Sequence, residues 1–395
     1  MNHEKAFDVV VIGGGVIGLS CGYYLSRARK RVLILERGEP GCGASGSCDD
    51  MISFQTKKPG LLLEMTFLSR ELYKNLDKEL GVDVEFQNLG GMILIENENH
   101  LSIMEDFVAK QRACGLSVEI LGKKETLHRQ PCANPAIVAS TYCTEDSQAN
   151  PFKVMTAFRA AGERKGMRIE KRSMVTSTSP LPGGGWSVTT ESGAYRAEIV
   201  VNAAGAWSPR VASQIGLDLP ITPQKGQILV TEEVGIPGDT NMWSSDYIVA
   251  KLQPNAGGRD ERSRRLGLGF AFSRTWHGNY LIGSTRENAG FDKNTTSEAL
   301  DAIASKAVNI LPAIGEVRVV RTFSGLRPNS VDGKCLLGES PLHPGYFIAA
   351  GHGGDGIALA PVTGKFLADL VCGRKTELNL AELSPGRFME TRSGN

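Results

Sequence analysis

Short, wholly apolar runs punctuate this chain, separated by longer stretches whose apolar residues recur every three or four positions. FDVVVI, Phe7 to Ile12, is nearly continuous and β-branched, the composition of a parallel strand buried on both faces. RVLILE (Arg31 to Glu36) and YRAEIVVN (Tyr195 to Asn202) read the same way. GYFIAA (Gly345 to Ala350) is a fourth such run, followed by a glycine turn and the helical pattern IALAPVTGKFLADLV. VIGLSCGYYLSRARK, between the first two runs, predicts a helix, and LLLEMTFLSRELYKNLDKEL (Leu61 to Leu80) has helical spacing with charges between. A second group of segments has the character of strands in an antiparallel sheet: VEFQNLGGMILIE, KGQILVTEE, YIVAKLQ and NYLIGSTREN, the last two as a pair.

The first strand, turn and helix carry Gly13, Gly15 and Gly18 in a G-x-G-x-x-G pattern. The first glycine allows a tight turn, the second lets a pyrophosphate approach the backbone, and the third lets the helix pack on the strand. The helix N-terminus then faces the phosphates with unpaired N–H groups. Glu36 ends the second strand, where its carboxylate can accept both ribose hydroxyl protons of an adenosine. This arrangement predicts dinucleotide binding.

Composition narrows the class. A chain of 395 residues, 41% hydrophobic, is too long for one simple core and suits two intertwined domains. The net charge of +1 gives no electrostatic case for nucleic acid or a membrane surface. Eight scattered cysteines without a C-x-x-C pair read as reduced thiols of a cytoplasmic protein, with no iron–sulfur spacing and no metal site expected. The N-terminal apolar stretch opens on Asp8 and is broken by glycines, so no leader and no membrane span is expected. GGRDERSRR (Gly257 to Arg265) reads as an exposed loop.

NAAGAWS (Asn202 to Ser208), GLRP (Gly325 to Pro328) and GHGGDGIALAPVTGK (Gly351 to Lys365) add to the N-terminal fingerprint. With these motifs the chain resembles, over essentially its whole length, the D-amino acid oxidase family of flavoenzymes, which includes glycine oxidase and sarcosine oxidase. The resemblance implies an α/β fold, with a Rossmann-like FAD-binding domain and a second, α+β substrate domain built on an antiparallel sheet. It implies a discontinuous FAD domain over 1–83, 150–218 and 323–395, and a substrate domain over 84–149 and 219–322.

FAD contacts implied by the resemblance begin with Gly13, Gly15, Val16, Ile17 and Gly18 and continue through Glu36, Arg37, Ala44, Ser45 and Met51. Val175, Ala204, Gly205 and Trp207 follow. Gly353, Gly354, Asp355, Gly356 and Ile357, at the start of the last helix, lie by the flavin together with Arg327. The reduced flavin carries negative charge near N1 and the C2 carbonyl, which a helix N-terminus can stabilise.

The implied reaction is oxidation of the C–N bond of an amino acid or N-substituted (secondary) amino acid. Hydride goes to flavin N5, and the resulting imine hydrolyses. Arg327 grips the substrate carboxylate in this likeness, a task that suits a planar, permanently charged fork. Tyr247 matches a tyrosine that touches the same carboxylate, or is a core aromatic. His352 lies in the flavin-facing turn, where it either packs or takes part in the chemistry.

GCGASGSCDDMI (Gly41 to Ile52) departs from the family pattern A-S-x-x-A-G-G-M: Ala44, Ser45 and Met51 match, but Cys48, Asp49 and Asp50 replace small residues. An acid there can bind or deprotonate a substrate amine, or can simply cap the loop. Asp50, directly before Met51, is the first choice. No cysteine matches a covalent flavin site, so non-covalent FAD is expected.

FSRTWHGNYLIGSTRENAGFD and LRPNSVDGKCLLGESP are most similar to the β-subunits of heteromeric opine, hydroxyproline and related amino acid dehydrogenases. That likeness implies a dehydrogenase that passes electrons to a partner subunit or acceptor protein. An oxygen-using oxidase, and an FAD-bearing subunit inactive alone, are the alternatives.

Overall fold

The apolar runs lie side by side. In the computed structural model, which describes residues 5–236, 238, 240–253 and 260–388, the first strand (Lys5–Ile12) has Val32–Leu35 on one side and Gly193–Asn202 on the other, both parallel to it. Arg168–Glu170 and Tyr346–Ala350 extend the parallel sheet outward on either side. Leu336–Glu339 closes one edge antiparallel, and Trp186–Thr190 with Val175–Pro180 forms an antiparallel meander beside Gly193–Asn202.

Both faces of this sheet are buried, as the continuous runs require. Val9 and Val11 pack with the helices Val16–Arg27, Pro151–Arg164 and Gly356–Val371, while Val10 and Ile12 point the other way, toward Trp186 and Val188. The first and last helices meet closely through small residues. Ser20 donates its hydroxyl proton to the Ala360 carbonyl at 2.7 Å, and Gly364 leaves room for Ser20. Pro361 has no N–H to give the Ile357 carbonyl, and the Tyr73 hydroxyl donates to it instead at 2.7 Å.

A second eight-stranded sheet runs in the order Val319–Ser330, Ile221–Thr231, Tyr280–Gly283, Ala271–Arg274, Asn241–Ser244, Gly91–Ile95, Ala139–Cys143, Val118–Gly122. Every neighbouring pair is antiparallel except Asn241–Ser244 with Gly91–Ile95, so the sheet is mixed rather than purely antiparallel. A parallel pair needs a long crossover, and the chain supplies one by returning to the first sheet between these two strands. Helix Ser297–Ile310 covers one face, packing Ile303 with Leu229 and Phe272.

Three elements differ from the sequence expectation. YIVAKLQ is part of a helix, Ser245–Leu252, and not a strand. Periodicity cannot separate a strand from a helix in so short an apolar run; here the Ser244 hydroxyl caps the helix, accepting the Asp246 N–H at 3.1 Å. The helical pattern from Leu61 breaks after Tyr73 and resumes at Leu76–Leu80. The arginine-rich stretch is not all loop: Glu261–Leu266 is a helix capped by Asp260. Its Arg262 and Arg265 pair with Asp301 and Glu298 of this same chain. Gly257, Gly258 and Arg259 lie outside the described residues. All eight cysteines are free, and among the described residues no helix is long and apolar enough to cross a membrane.

Candidate active site

A cavity of about 540 Å³ has lining residues from both sheets. At one end is the glycine turn. Gly13 has φ +111°, and a β-carbon there would come within 2.5 Å of the Ala203 carbonyl oxygen. Gly15, Val16 and Ile17 also line the cavity, but Gly18 does not. A β-carbon on Gly18 would run into the Gly13 carbonyl, so this glycine serves helix–strand contact.

Glu36 lines the cavity with its carboxylate fixed by backbone: the Gly14 N–H donates to Oε2 at 2.7 Å and the Gly38 N–H to Oε1 at 2.8 Å. Arg37 lies 3.6 Å over the Trp207 ring, and both line the cavity with Val175, Ala204 and Gly205. The loop from Gly41 returns to the turn, where Ser45 accepts the Val16 N–H at 3.1 Å. Ala44, Ser45 and Met51 are in the lining. Glycine-bounded backbone, a fixed carboxylate and a helix N-terminus on one cavity form a donor set that fits a dinucleotide.

At the other end, Gly353, Gly354, Asp355, Gly356 and Ile357 bring the N-terminus of the last helix to the cavity wall. Gly353 has φ +57° and its N–H donates to the Pro328 carbonyl at 2.8 Å, which ties this turn to the strand carrying Arg327. Asp355 pairs with buried Lys57 at 2.8 Å. His352 also lines the cavity, but its Nε2 is engaged with the Thr363 hydroxyl at 3.1 Å. Burial pulls its imidazole down to about 4, so the ring is neutral near pH 7.

Arg327 is held rather than loose. Its Nη1 donates to the Thr285 carbonyl at 3.0 Å and its Nη2 to the Ser284 hydroxyl at 2.7 Å. The long antiparallel pair places Gly226 beside it, and a β-carbon at Gly226 would occupy the guanidinium's space. Burial and then the nearby Arg286 lower its pKa to about 10, which still leaves it charged at neutral pH. Tyr247 lines the same region; Arg286 donates to its hydroxyl and sits 4.4 Å over its ring. Burial would push this phenol up, but Arg286 and Lys251 outweigh it and hold it below its usual value.

Of the two adjacent acids, the structure turns Asp49 and not Asp50 to the cavity. Asp49, Met51 and Ser53 are in the lining, whereas Asp50 and Ile52 point to the opposite side of the short strand Met51–Ile52. Alternation along the extended chain is the physical reason that the two neighbours face opposite ways. Asp50 is 6% exposed, and burial pushes it up to about 7 against the opposing pull of the Ser273 hydroxyl. Burial also raises Asp49, against the pull of Arg327.

Sequence reasoning missed Arg286, Lys251 and Ser284, which the structure adds to the lining. Lys251 stands one helical turn from Tyr247, a proximity hidden by reading that segment as a strand. Arg286 follows the end of the strand Tyr280–Gly283, and only the tertiary fold carries it to Tyr247.

The chain matches the family model described as DAO, FAD dependent oxidoreductase, over residues 8–370. It is 30% identical over 400 residues to glycine oxidase of Geobacillus kaustophilus (strain HTA426), covering 98% of each chain. It is 27% identical to an opine oxidase subunit of Agrobacterium tumefaciens (strain Ach5), covering 96% of this chain and 97% of that one. The crystal structure of glycine oxidase from Geobacillus kaustophilus superposes with a TM-score of 0.87 at 28% identity, covering 97% of this chain and 99% of that one.

Proposed function

This chain belongs to the DAO family of FAD-dependent oxidoreductases, and from that premise we propose that it oxidises the C–N bond of an amino acid or N-substituted amino acid, acting as a dehydrogenase with non-covalent FAD. One observation carries the reading: Arg327, fixed by Ser284 and Thr285, shares a wall with the Gly353–Gly356 turn, so a carboxylate held by its fork lies where the last helix begins. FAD, when bound, supplies the two-electron acceptor.

The chain's own residues do the rest. Glu36, Arg37 and the Gly13–Gly15 turn hold the adenosine and pyrophosphate. The N-terminus of the last helix offers positive potential at the catalytic end. Arg327 orients the substrate by two parallel donors, and Tyr247 adds a hydroxyl to the same carboxylate. Asp49 faces the amine. With burial raising its pKa and Arg327 opposing, it can accept an ammonium proton and free the nitrogen lone pair that C–H cleavage requires. Neutral His352, engaged with Thr363, positions the turn. The carbon–nitrogen product is an imine, which water hydrolyses.

The likeness to glycine oxidase favours a second reading, an oxidase that uses oxygen directly. The likeness to an opine oxidase subunit favours a chain that works in a larger assembly. Anaerobic bleaching of the flavin against D-, L- and N-alkyl amino acids tests the C–N reaction, and no bleaching by any of them sinks it. Reoxidation by a dye but not by oxygen is the expected outcome for a dehydrogenase; equally fast reoxidation by oxygen selects the oxidase.

A further inference from the structure

Arg327, Arg286 and Lys251 line one cavity, and among the described residues none of them has a carboxylate within ion-pair distance. Elsewhere this chain pairs its buried cations. Lys225 meets Asp292 at 2.9 Å, Lys306 meets Asp246 at 2.5 Å and Lys57 meets Asp355 at 2.8 Å. Lys251 is exposed and screened by water, but leaving the two half-buried guanidiniums without counter-charges costs free energy through desolvation and mutual repulsion. The repulsion is visible in Arg327, whose pKa falls to about 10 through burial and then through Arg286.

Arg286 is placed to bind something further. One of its Nη atoms donates to the Tyr247 hydroxyl and its plane lies over that ring, which fixes the guanidinium while other N–H groups remain for a ligand. Lys251 stands one turn from Tyr247 on the same helix, so the two cations flank one phenol. Its Nζ donates to the Thr56 carbonyl at 3.1 Å, a contact that leaves its charge unanswered. The facing acids are Asp49 and Asp355. Asp355 is answered by Lys57, and Asp49 is left to face an amine. When Asp49 holds the amine's proton it is neutral, and the two half-buried guanidiniums then leave two positive charges, one more than a single α-carboxylate can balance; exposed Lys251 adds a screened third.

We propose that Arg286 and Lys251 form a second anion subsite beside Arg327, so that the preferred substrate is an amine bearing two carboxylates. The first carboxylate takes the Arg327 fork and the second takes Arg286. The second group can sit on the nitrogen substituent, as in an N-carboxyalkyl amino acid, or on the side chain, as in an acidic amino acid. This inference rests on the C–N oxidation reading above for the word substrate, but the subsite itself does not depend on turnover.

The test is ligand binding to the FAD-loaded protein, followed by perturbation of the flavin absorbance. Malonate, succinate and glutarate are titrated against acetate, propionate and butyrate. The best dicarboxylate is expected to bind about tenfold or more tightly than its monocarboxylate counterpart, the scale of one added charge-assisted contact. Arg286→Gln should bring that ratio close to one, and Lys251→Gln should lower it in part. Equal affinities in the unmodified protein, as expected if both arginines grip one carboxylate, overturn the proposal. So does a ratio that survives Arg286→Gln. Should Arg286→Gln fail to hold flavin, the unmodified ratio together with Lys251→Gln decides.

Anaerobic flavin reduction by iminodiacetate, against aspartate and glutamate of both hands, separates the two sources of the second carboxylate. Glycine and sarcosine serve as single-carboxylate controls. Reduction by all amines without a dicarboxylate preference overturns the subsite alone. A tight dicarboxylate preference with no reduction by any amine supports the subsite and overturns the amine-oxidising reading.

Discussion

At the scale of single residues, geometry separates groups that chemistry alone treats as equal. Arg327→Lys replaces a fork with a point charge and abandons the contacts to Ser284 and Thr285. It should retain FAD and lose on the order of 2–4 kcal/mol of transition-state binding in kcat/KM; an unchanged kcat/KM removes Arg327 from the site. Asp50, unlike Asp49, is absent from the cavity lining. Its carboxyl is raised to about 7 in the folded chain against an ordinary value of 3.8, chiefly by burial. A group raised on folding contributes most below its unfolded pKa, and that contribution is lost as pH climbs from about 4 to about 7. Asp50→Asn removes the ionisation, so at pH 8 the variant should be more stable than the parent by about 2–4 kcal/mol. The gap should close toward pH 4. Urea unfolding at the two pH values checks it, and a pH-independent difference refutes it. Which acid meets the cavity was not legible from the pair itself. A one-residue change of strand face exchanges them, and the register is set by pairing with Ser147–Gln148 far along the chain.

Among elements, the first and last helices show how small residues decide placement. A β-carbon on Gly364 would press on the Ser20 hydroxyl and backbone, and backbone cannot turn aside. Gly364→Ala should therefore destabilise by about 1–3 kcal/mol, the scale of overpacking, measured as a lower urea midpoint. A neutral substitution would mean the helices shift apart freely. Both helices were readable because an amphipathic or wholly buried period over a dozen residues survives its context. The segment YIVAKLQ was not. Its apolar run is short, and the decisive signal was the capping serine just before it. The error had a chemical consequence, since only a helix sets Lys251 one turn from Tyr247.

For the whole molecule, the cavity joins the two sheets, so a ligand filling it should stabilise both. FAD at a hundredfold excess over its Kd adds about 2.7 kcal/mol. Stripping the cofactor should lower the Tm by several degrees, and adding FAD back should restore it. Calorimetry with and without FAD checks this; a Tm indifferent to FAD refutes a cavity-bound cofactor. Acid denaturation should release the yellow flavin into the supernatant. Burial, with Asp49 and Asp50 nearby, pushes the Cys48 thiol in the cavity wall well above its usual value.

Local chemistry along the chain was enough for the parallel strands, the glycine turn and the placement of Glu36 on the cavity wall. A continuous apolar run buries both faces of a strand, a turn with positive φ needs glycine, and one motif holds its own chemistry within a few residues. Nothing local brings Arg286, Lys251, Tyr247, Asp49 and Arg327 to one cavity. Their meeting depends on strand register, on one helix cap and on how two sheets are set against each other. Charge in such a place has no sequence period, because the energy that selects it is the interaction among side chains brought together only by the fold.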